Sequence, residues 1–443
     1  NNMQLNRSYK LSTKNTNIFL GGKIMSKITL TEIVKRGMKL KKEEKASMLG
    51  IGPMSNILIK ASIKLAKEKD FPLMFIASRN QVDLQELGGG YVCNWDQKSF
   101  SDDIKKIAKE EGFDGLYYLC RDHGGPWQRD KERKDHLPED EAMELGKKSY
   151  IADIENGFDL LHIDPTKDPY VVGKVIDVNV VIRRTVELIE YVEKERILRG
   201  IPEISYEVGT EETNGGLTSV ESYEFFIKEL MKELDNKGLP HPCFIVGQTG
   251  TLTRLTENIG KFNAKASREL ARVAEKYQVG LKEHNGDYQD EAILLAHPAL
   301  GITAMNVAPE YGTVETRSYL KLVELEKMLY DEGLISKKSN LKDCIRRESV
   351  ASRRWEKWMT DDTISKTTEE LLQDEEIITK ITDISGHYTF NNEAVKNEIE
   401  SLFYNLSEAG INAQDYVIYK LKESLDKYVE TFNLKGYTSR LKK

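Results

Sequence analysis

The sequence predicts an α/β protein of the (β/α)8 TIM-barrel class with a helical C-terminal extension. Two observations lead to this prediction: short apolar segments alternate with helix-period stretches from Ile28 onward, and eight such segments can be counted. Eight strands separated by helices is the number that a closed (β/α)8 barrel requires. The predicted strands are Ser47–Pro53, Leu73–Ser78, Gly115–Cys120, Leu160–Asp164, Ile204–Val208, Cys243–Val246, Gly280–Glu283 and Ile302–Val307.

The helices between and after these strands divide the chain. After about Leu334 the strand segments stop and only helical patterns continue, so we predict a barrel over residues 25–333 and a helical extension over residues 334–443. The predicted helices are Asp102–Glu111, Asp140–Asn156, Val171–Leu198, Ser219–Asn236, Asn263–Tyr277 and Thr316–Glu332 in the barrel, then Glu348–Met359, Thr367–Thr382, Asn392–Leu406 and Gln414–Thr431.

Residues 1–24 are polar and weakly patterned. The segment Gly21-Gly22-Lys23-Ile24 could be encoded by a purine-rich stretch of the kind that forms a bacterial ribosome-binding site just before a start codon. We therefore hypothesise that Met25 is the biological start and that residues 1–24 are a non-native leader, outside the fold.

Composition excludes several classes of protein. The formal net charge of −7 argues against a nucleic-acid partner, because the phosphate backbone requires a basic face. No segment approaches the roughly 18 continuous apolar residues of a membrane span. The four cysteines lie far apart, without the spacing of a zinc ribbon or the density of a disulfide scaffold. These features predict a cytoplasmic protein with reduced thiols.

Polar residues follow the predicted strands where a barrel places its active site. Asp122-His123 ends the third strand, and His284 ends the seventh. Neutral imidazole is a common ligand of divalent metals, and an adjacent carboxylate can act as acid or base. We therefore predict a shared metal bound by His123 and His284, although a structural role for Asp122-His123 is an equal alternative.

The remaining ligands should be carboxylate or amide oxygens. The candidates are Glu207, Glu211, Asp164 and Gln248, and strand alternation means that not all of them can face inward. His162 lies two residues before Asp164 and on the same side of the strand, so it could be a ligand, a base or a packed barrel histidine. Four further histidines are expected to be surface or structural residues: His136, His241, His297 and His387.

The loops after the strands also carry possible substrate contacts. Asn80-Gln81, the glycines 88–90, Gln248, residues 249–251 and Asn306 all lie where the βα loops form the mouth of the barrel. No Walker or dinucleotide fingerprint is present in the sequence, so a nucleotide is not the expected ligand. The glycines could equally serve turn geometry alone.

Six segments at these positions carry a family resemblance that extends over most of the chain from about Ile28. The segments are ASRNQVDLQELGGGY (Ala77–Tyr91), RDHGGP (Arg121–Pro126), LLHIDPT (Leu160–Thr166), YEVGTEETNGG (Tyr206–Gly216), KEHNGDYQ (Lys282–Gln289) and MNVAPEYG (Met305–Gly312). In these segments the sequence resembles the non-catalytic subunit of class II D-tagatose-1,6-bisphosphate aldolase and its single-chain relatives, which are metal-dependent sugar or sugar-phosphate 4-epimerases.

The resemblance implies a divalent metal (Zn, Mn, Ni or Co) at His123, Glu207 and His284. The sixth-strand histidine of the wider class II aldolases has no counterpart, because Gln248 stands there. The implied reaction is C4 epimerisation of a ketose, a ketose phosphate such as fructose or tagatose 6-phosphate, or a ketohexuronate. Asp122, Asp164 and Glu211 are the expected acid–base residues, and Asn80, Gln81, Gln248 and Asn306 the expected substrate contacts.

Two other roles remain open. The chain could be the stabilising partner of a separate aldolase catalytic subunit, or it could be a true ketose-bisphosphate aldolase. The expected partners are thus a small sugar or sugar phosphate and either a second copy of the chain or an aldolase subunit, with no nucleic acid and no membrane.

Overall fold

A computed structural model describes residues 18–20, 23–25, 27–209 and 217–443. Eight parallel strands form a closed barrel in chain order, and the last strand pairs with the first. The barrel strands are β1 (Met48–Ile51), β2 (Leu73–Ala77), β3 (Tyr117–Gly124), β4 (Leu160–Ile163), β5 (Ser205–Val208), β6 (Phe244–Val246), β7 (Gly280–Glu283) and β8 (Ile302–Val307). The predicted fold class and all eight predicted strands are confirmed.

The third strand differs from its prediction in one respect that matters for the site. Strand β3 continues through Asp122 and His123 to Gly124, where the prediction ended at Cys120. Its pairing with β4 runs from Arg121 opposite Leu161 to Gly124 opposite Ile163, so one extra residue bulges out of β3. His123 takes a left-handed backbone conformation at this bulge, with φ of 45°. The bulge re-aims the His123 side chain, which a regular strand would not do.

Helices surround the barrel and continue past it. The helix α1 (Leu30–Lys39) precedes β1, and the helices that follow the barrel strands begin with α2 (Asn56–Lys69). The others up to the end of the barrel are α3 (Gln97–Glu110), α4 (Asp130–Lys134), α5 (Glu139–Glu155), α6 (Val178–Leu198), α7 (Val220–Asn236), α8 (Ala264–Lys276), α9 (Glu291–Leu300) and α10 (Pro309–Asp331). Short 3-10 turns lie at Lys42–Glu44 and Gln85–Leu87, and a two-residue antiparallel pair joins Thr253–Arg254 to Glu257–Asn258.

The C-terminal extension is helical, as predicted. It contains α11 (Leu341–Ala351), α12 (Asp361–Ile364), α13 (Thr368–Gln373), α14 (Glu375–Ser385), α15 (Glu393–Glu408), α16 (Ala413–Thr431) and α17 (Tyr437–Leu441), with 3-10 turns at Glu356–Trp358 and Gly386–Thr389. The Tyr428 side chain of α16 is buried in the core shared with the barrel. A separate small core forms around Trp355 and Ile378 within the extension itself.

Several helices depart from the sequence pattern. Helix α3 begins five residues before the predicted Asp102, and the predicted helix Thr367–Thr382 is divided into α13 and α14. Helix α6 starts at Val178, seven residues after its predicted start, because Asp177 caps it and the preceding residues form a loop. Helix α10 starts at Pro309, where proline fits the first turn, well before the predicted Thr316. The predicted helix Glu348–Met359 is broken after Ala351, and Arg353 has φ of 54°.

The expectation about residues 1–24 falls mainly outside the described residues. Within that segment the structure describes Ile18–Leu20 and the first two residues of Lys23–Met25, and these two short strands pair antiparallel. The division at residues 333 and 334 stays a prediction. Among the residues that the structure describes, no helix is both long enough and apolar enough to cross a bilayer.

Candidate metal centre

Two histidine rings face each other across the mouth of the barrel. His123, from the bulge in β3, places its Nε2 atom 3.0 Å from Nδ1 of His284, the residue that follows β7. The rings meet edge to face, with centroids 4.7 Å apart. The structure thus brings together the two histidines that the strand-end pattern singled out.

The far nitrogen of each ring is held by a carboxylate. Nδ1 of His123 lies 2.7 Å from Oδ2 of Asp164, and Nε2 of His284 lies 2.8 Å from Oε1 of Glu207. A neutral imidazole that donates to a carboxylate keeps its lone pair on the other nitrogen. If both rings are neutral, the two lone pairs point at each other, which is unfavourable. A proton on one ring, or a cation bound by both rings, removes this conflict. Carboxylate-held histidines of this kind are the usual support of a metal ion.

Asp122 and His162 complete the cluster. Each of Asp122, His123, His162 and His284 offers one ligand atom, and these four atoms all lie within 4.8 Å of one another. Nδ1 of His162 accepts a hydrogen bond from the His123 backbone N–H at 3.1 Å. The donor set of three imidazoles and one carboxylate suits zinc and its first-row neighbours, so the residues present fit the metal that the sequence implies.

The electrostatics of the cluster favour positive charge. Burial opposes protonation of His123, but Asp122 and Asp164 outweigh it and raise the pKa of His123 to about 9. Burial also disfavours the charged form of Asp122, yet the three neighbouring histidines hold its pKa below the usual value. Burial lowers the pKa of His162 to about 4, so this ring is neutral near pH 7. Near pH 7 His162 and Asp122 are therefore in the forms that bind metals, whereas His123 is protonated and must lose that proton to act as a ligand.

Glu207, a predicted ligand, has both oxygens engaged. Its Oε1 atom accepts from His284, and its Oε2 atom lies 2.5 Å from Nζ of Lys282. Glu207 and Lys282 are both about 1% exposed, so the ion pair is inside the barrel. Burial works against ionisation of Glu207, but Lys282, followed by His162 and His284, holds its pKa well below the usual range. Glu207 thus contacts the cluster through His284, and its role as a ligand stays a prediction.

Asp164 is similarly occupied. One carboxylate oxygen bonds His123, and the other accepts from the Thr166 backbone N–H at 3.2 Å and its hydroxyl at 2.5 Å. Burial alone would raise the pKa of Asp164, but His123 and Thr166 lower it more. The pKa of Asp164 therefore lies far below the ordinary value. A carboxylate in this setting orients His123. Its predicted acid–base role is not tested by the geometry.

Asp122 is the more accessible carboxylate. Its side chain is 15% exposed, and its Oδ1 atom accepts from Nδ2 of Asn306 at 3.1 Å. Asn306 fits there because residue 50 is glycine, since a Cβ at Gly50 would lie 2.1 Å from Oδ1 of Asn306. The His123 side chain is 35% exposed, whereas that of His284 is 3% exposed. A ligand therefore reaches the cluster from the Asp122 and His123 side.

The other predicted contacts are spread around the mouth. Gln81 is buried, and its side-chain oxygen accepts from the Ser78 backbone N–H at 2.9 Å, while the carbonyl of Asn80 accepts from Tyr91. Gln248 is buried beside Thr218, whose hydroxyl accepts from the Gln248 backbone N–H. Glu211 lies outside the described residues.

His162 was left open in the sequence as a ligand, a base or a packed histidine, and the structure places its ring in the cluster. The available signal was strand alternation, which places His162 and Asp164 on one side of β4. Both contact His123, which agrees with their lying on the same side of the strand. The sequence pattern could not show that the β3 bulge brings His123 within reach of both residues.

Comparison with known proteins agrees with this architecture. Residues 30–418 match the family model described as D-tagatose-1,6-bisphosphate aldolase subunit GatZ/KbaZ-like. The chain belongs to this family. The match spans both the barrel and most of the helical extension, so the two parts occur together in the family. No curated protein matches the chain.

Solved structures resemble the fold of this family member. A probable tagatose 6-phosphate kinase from Sinorhizobium meliloti aligns with a TM-score of 0.72 and 17% identity over 87% of this chain and 100% of the other. The fructuronate-tagaturonate epimerase UxaE from Cohnella laeviribosi aligns with a TM-score of 0.52 and 13% identity, covering 88% and 81%. The fructose-bisphosphate aldolase from Campylobacter jejuni aligns at 0.51 and 12%, covering 93% and 96%. At these identities the likeness shows the fold alone.

Proposed function

We propose that the protein is a cytoplasmic, metal-dependent epimerase that inverts C4 of a ketose, a ketose phosphate or a ketohexuronate by reversible C3–C4 cleavage. The observation that supports this proposal most directly is the pair of ring nitrogens of His123 and His284, 3.0 Å apart beside the accessible carboxylate of Asp122. The family and the epimerase and aldolase neighbours agree with it.

The chemistry of the substrate narrows the reaction. The C4 proton of a 2-ketose is not acidic, because C4 is two bonds from the carbonyl. Inversion at C4 therefore needs transient oxidation or cleavage of the C3–C4 bond, and the sequence carries no nicotinamide fingerprint. A divalent ion, when bound by His123, His162 and His284, would supply the positive charge that stabilises an oxyanion next to the breaking bond.

We assign the proton transfer to Asp122. Its depressed pKa keeps it ionised near pH 7, so it can accept the proton of the C4 hydroxyl as C3–C4 breaks. Asn306 fixes the carboxylate by donating to one oxygen, which leaves the other oxygen for the substrate. Rotation of the aldehyde fragment and return of the proton from Asp122 would re-form the bond with the opposite C4 configuration.

The supporting residues each hold one member of the site. Asp164 orients His123, and Glu207 orients His284. Lys282 neutralises Glu207 within the barrel, which allows that carboxylate to remain ionised where burial would otherwise protonate it. We assign these residues to positioning the ligands, because each of their carboxylates already has partners on both oxygens.

The proposal can be tested by incubating the protein with ketoses, their 6-phosphates and ketohexuronates in the presence of Zn, Mn, Ni or Co. NMR then detects whether a C4 epimer forms. We expect one class to give its C4 epimer only with added metal. His123→Ala should lower this turnover by at least about a thousandfold, the scale expected when a metal's contribution is lost. The matched control is His241→Ala, because His241 is an exposed histidine paired with Asp235 at the surface. Full turnover in metal-free buffer would refute the proposal.

A second candidate function is that of a stabilising subunit of an aldolase. The family description supports this candidate, because it names an aldolase subunit. Co-purification with a catalytic aldolase chain, together with no turnover of the isolated protein, would support it. A true aldolase would release two fragments, so a dehydrogenase that traps the glyceraldehyde-type product would detect it. An epimerase retains the fragment and gives little signal in that assay.

A further inference from the structure

The loop that begins at His284 has an unfavourable backbone conformation. Asn285 and Tyr288 both lie in the left-handed region, with φ of 54° and 58°. Non-glycine residues are disfavoured in this region, so they persist there where surrounding groups fix the backbone. We call residues 284–288 the β7 loop. Its contacts therefore determine whether His284 keeps the position in which it faces His123.

The first part of the β7 loop is held by the barrel. The hydroxyl of Thr251 donates to the carbonyl of His284 at 2.7 Å. The backbone N–H of Gly286 donates to the carbonyl of Asn306 at 3.1 Å, and the side chain of Asn306 donates to Asp122. The β7 loop is thus bonded both at the candidate metal ligand and at the residue that holds the candidate acid–base carboxylate.

The second part of the β7 loop is held by the start of helix α10. The backbone N–H of Tyr288 donates to Oε2 of Glu310 at 2.8 Å. Oδ1 of Asp287 accepts from the backbone N–H groups of Ala308 and Glu310, each at 2.9 Å. The Glu310 side chain is therefore a direct support of the loop, and as a buried carboxylate it needs partners of its own.

Helix α16 of the C-terminal extension supplies the other described partners of the Glu310 side chain. The hydroxyl of Tyr428 donates to Oε2, and Nζ of Lys427 lies 2.6 Å from Oε1. The hydroxyl of Ser424 lies 3.4 Å from Oε1. The hydroxyl oxygen of Tyr428 also lies 3.4 Å from the carbonyl oxygen of Gly286. Glu310 thus joins the extension to the β7 loop.

The cation of Lys427 compensates two neighbouring buried carboxylates. Asp287 is 2% exposed and Glu310 is 6% exposed. Burial raises the pKa of Asp287 to about 7; the backbone N–H of Glu310 opposes this rise, and the charge of Glu310 adds to it. Removing the ammonium group of Lys427 would leave the two carboxylates to repel each other at the base of the loop.

We propose that Tyr428 and Lys427 are positioning residues of the metal centre, which fix the β7 loop through Glu310 and thereby fix His284. This inference rests on the proposed metal-dependent function, and it makes the C-terminal extension a functional part of the site. Neither Tyr428 nor Lys427 has a described contact with the four side chains of the cluster. Their effect on the metal would therefore be transmitted by the loop, as outer partners of metal ligands act through the ligands.

The test measures Co²⁺ binding to the intact chain by titration against a chelator, and it records the visible absorption of the bound ion. Tyr428→Phe removes the hydroxyl and keeps the ring. We expect it to weaken Co²⁺ binding about tenfold, the lower end of the range for outer-shell substitutions, and to change the absorption spectrum. The matched control is Tyr319→Phe. Tyr319 is also buried, and its hydroxyl donates to Glu315 of α10 at 3.1 Å without a described contact to the β7 loop, so its loss should leave affinity and spectrum unchanged.

Two substitutions of Lys427 separate its charge from its bulk. Lys427→Met should weaken Co²⁺ binding, whereas Lys427→Arg keeps a cation beside Glu310 and should retain it. Urea unfolding of each variant checks that the fold is retained. Hydrogen–deuterium exchange of the metal-free protein adds a readout of the loop itself. Residues 285–288 should exchange faster in Tyr428→Phe than in the unaltered protein and in Tyr319→Phe.

Unchanged Co²⁺ affinity in folded Tyr428→Phe and Lys427→Met would overturn the inference. An equal loss of affinity in Tyr319→Phe would also overturn it, because the effect would then be general destabilisation. Weaker Co²⁺ binding in the Tyr428 and Lys427 variants, with no turnover of any ketose by the unaltered protein, would contradict the epimerase proposal and support the inference. Metal-dependent turnover that does not depend on Tyr428 or Lys427 would have the opposite meaning. Absence of Co²⁺ binding by the unaltered protein would contradict both proposals.

Discussion

Two histidine–glutamate pairs lie on opposite sides of strand β7, and they differ in the partners of their histidine ring nitrogens. Glu283 faces outward and bonds Nε2 of His297 in α9 at 2.6 Å, while His284, the next residue, faces inward and bonds Glu207 at 2.8 Å. His297 also bonds the Ile293 carbonyl through Nδ1, so both of its nitrogens have partners. His284 leaves its Nδ1 facing His123. Both nitrogens of His297 in this outer pair are thus bonded to groups of the fold, although Oε1 of Glu283 has no hydrogen-bond partner among the described residues, whereas the second nitrogen of His284 in the inner pair contacts only another candidate ligand.

The surroundings of the two pairs reinforce this difference. His297 is stacked between Phe262 and Phe432, with centroid distances of 5.5 and 5.3 Å, and its side chain is fully buried. His284 is surrounded by polar groups of the barrel mouth, including Asp122 and His162. A histidine with both nitrogens bonded between aromatic rings stabilises the fold. A histidine whose second nitrogen contacts only another histidine of a polar cluster can exchange that contact for a ligand.

The largest expected effect comes from removing the inner histidine. His284→Ala should eliminate stoichiometric binding of a divalent ion, because the cluster loses one of its two facing nitrogens. The metal that each variant retains after dialysis, measured by elemental mass spectrometry, checks this prediction directly. The corresponding outer substitution, His297→Ala, should retain the metal. Loss of metal in both variants would contradict the assignment of metal binding to the inner histidine alone.

The second-largest expected effect is on the free energy of unfolding, and here the outer pair matters more than the inner pair. His297→Ala leaves the Glu283 carboxylate buried without its charged partner, and we expect a loss of about 3–5 kcal/mol in the free energy of unfolding. Urea unfolding followed by circular dichroism measures the change. His241→Ala, which breaks an exposed pair with Asp235, should change stability by no more than about 1 kcal/mol. Similar losses in both variants would show that the outer pair is not a structural support.

The sequence was sufficient for the positions of the strands and for the pairing of His123 with His284. This is because the closure of eight strands around one axis brings the ends of β3 and β7 together whatever their neighbours are. The partners of each histidine were not predictable in the same way. Asp164 holds His123 only because β3 bulges at that residue, and a bulge depends on pairing with β4 and not on local sequence.

The distinction between His284 and His297 shows the same limit. Both are histidines in the segment from β7 to α9, and the sequence indicates which one ends a strand but not that the other is fully buried. His297 was expected to be a surface or structural residue, and it is structural. Its partner Glu283 and its two flanking phenylalanines come from three separate segments, so their meeting required the three-dimensional fold.

The smallest expected effect is the pH dependence of the outer pair. Burial disfavours protonation of His297, but Glu283 outweighs it, and the folded-state pKa of His297 is raised above its unfolded value of about 6.5. A raised histidine pKa contributes stability that is fully present below the unfolded pKa and is lost as pH rises through the folded pKa. The stability gap between the unaltered protein and Glu283→Gln, which keeps the shape of the side chain, should therefore be largest at pH 6 and shrink toward pH 9. Urea unfolding at pH 6, 7.5 and 9 measures this gap, and a gap that widens with pH would show that the charge on His297 does not stabilise the fold.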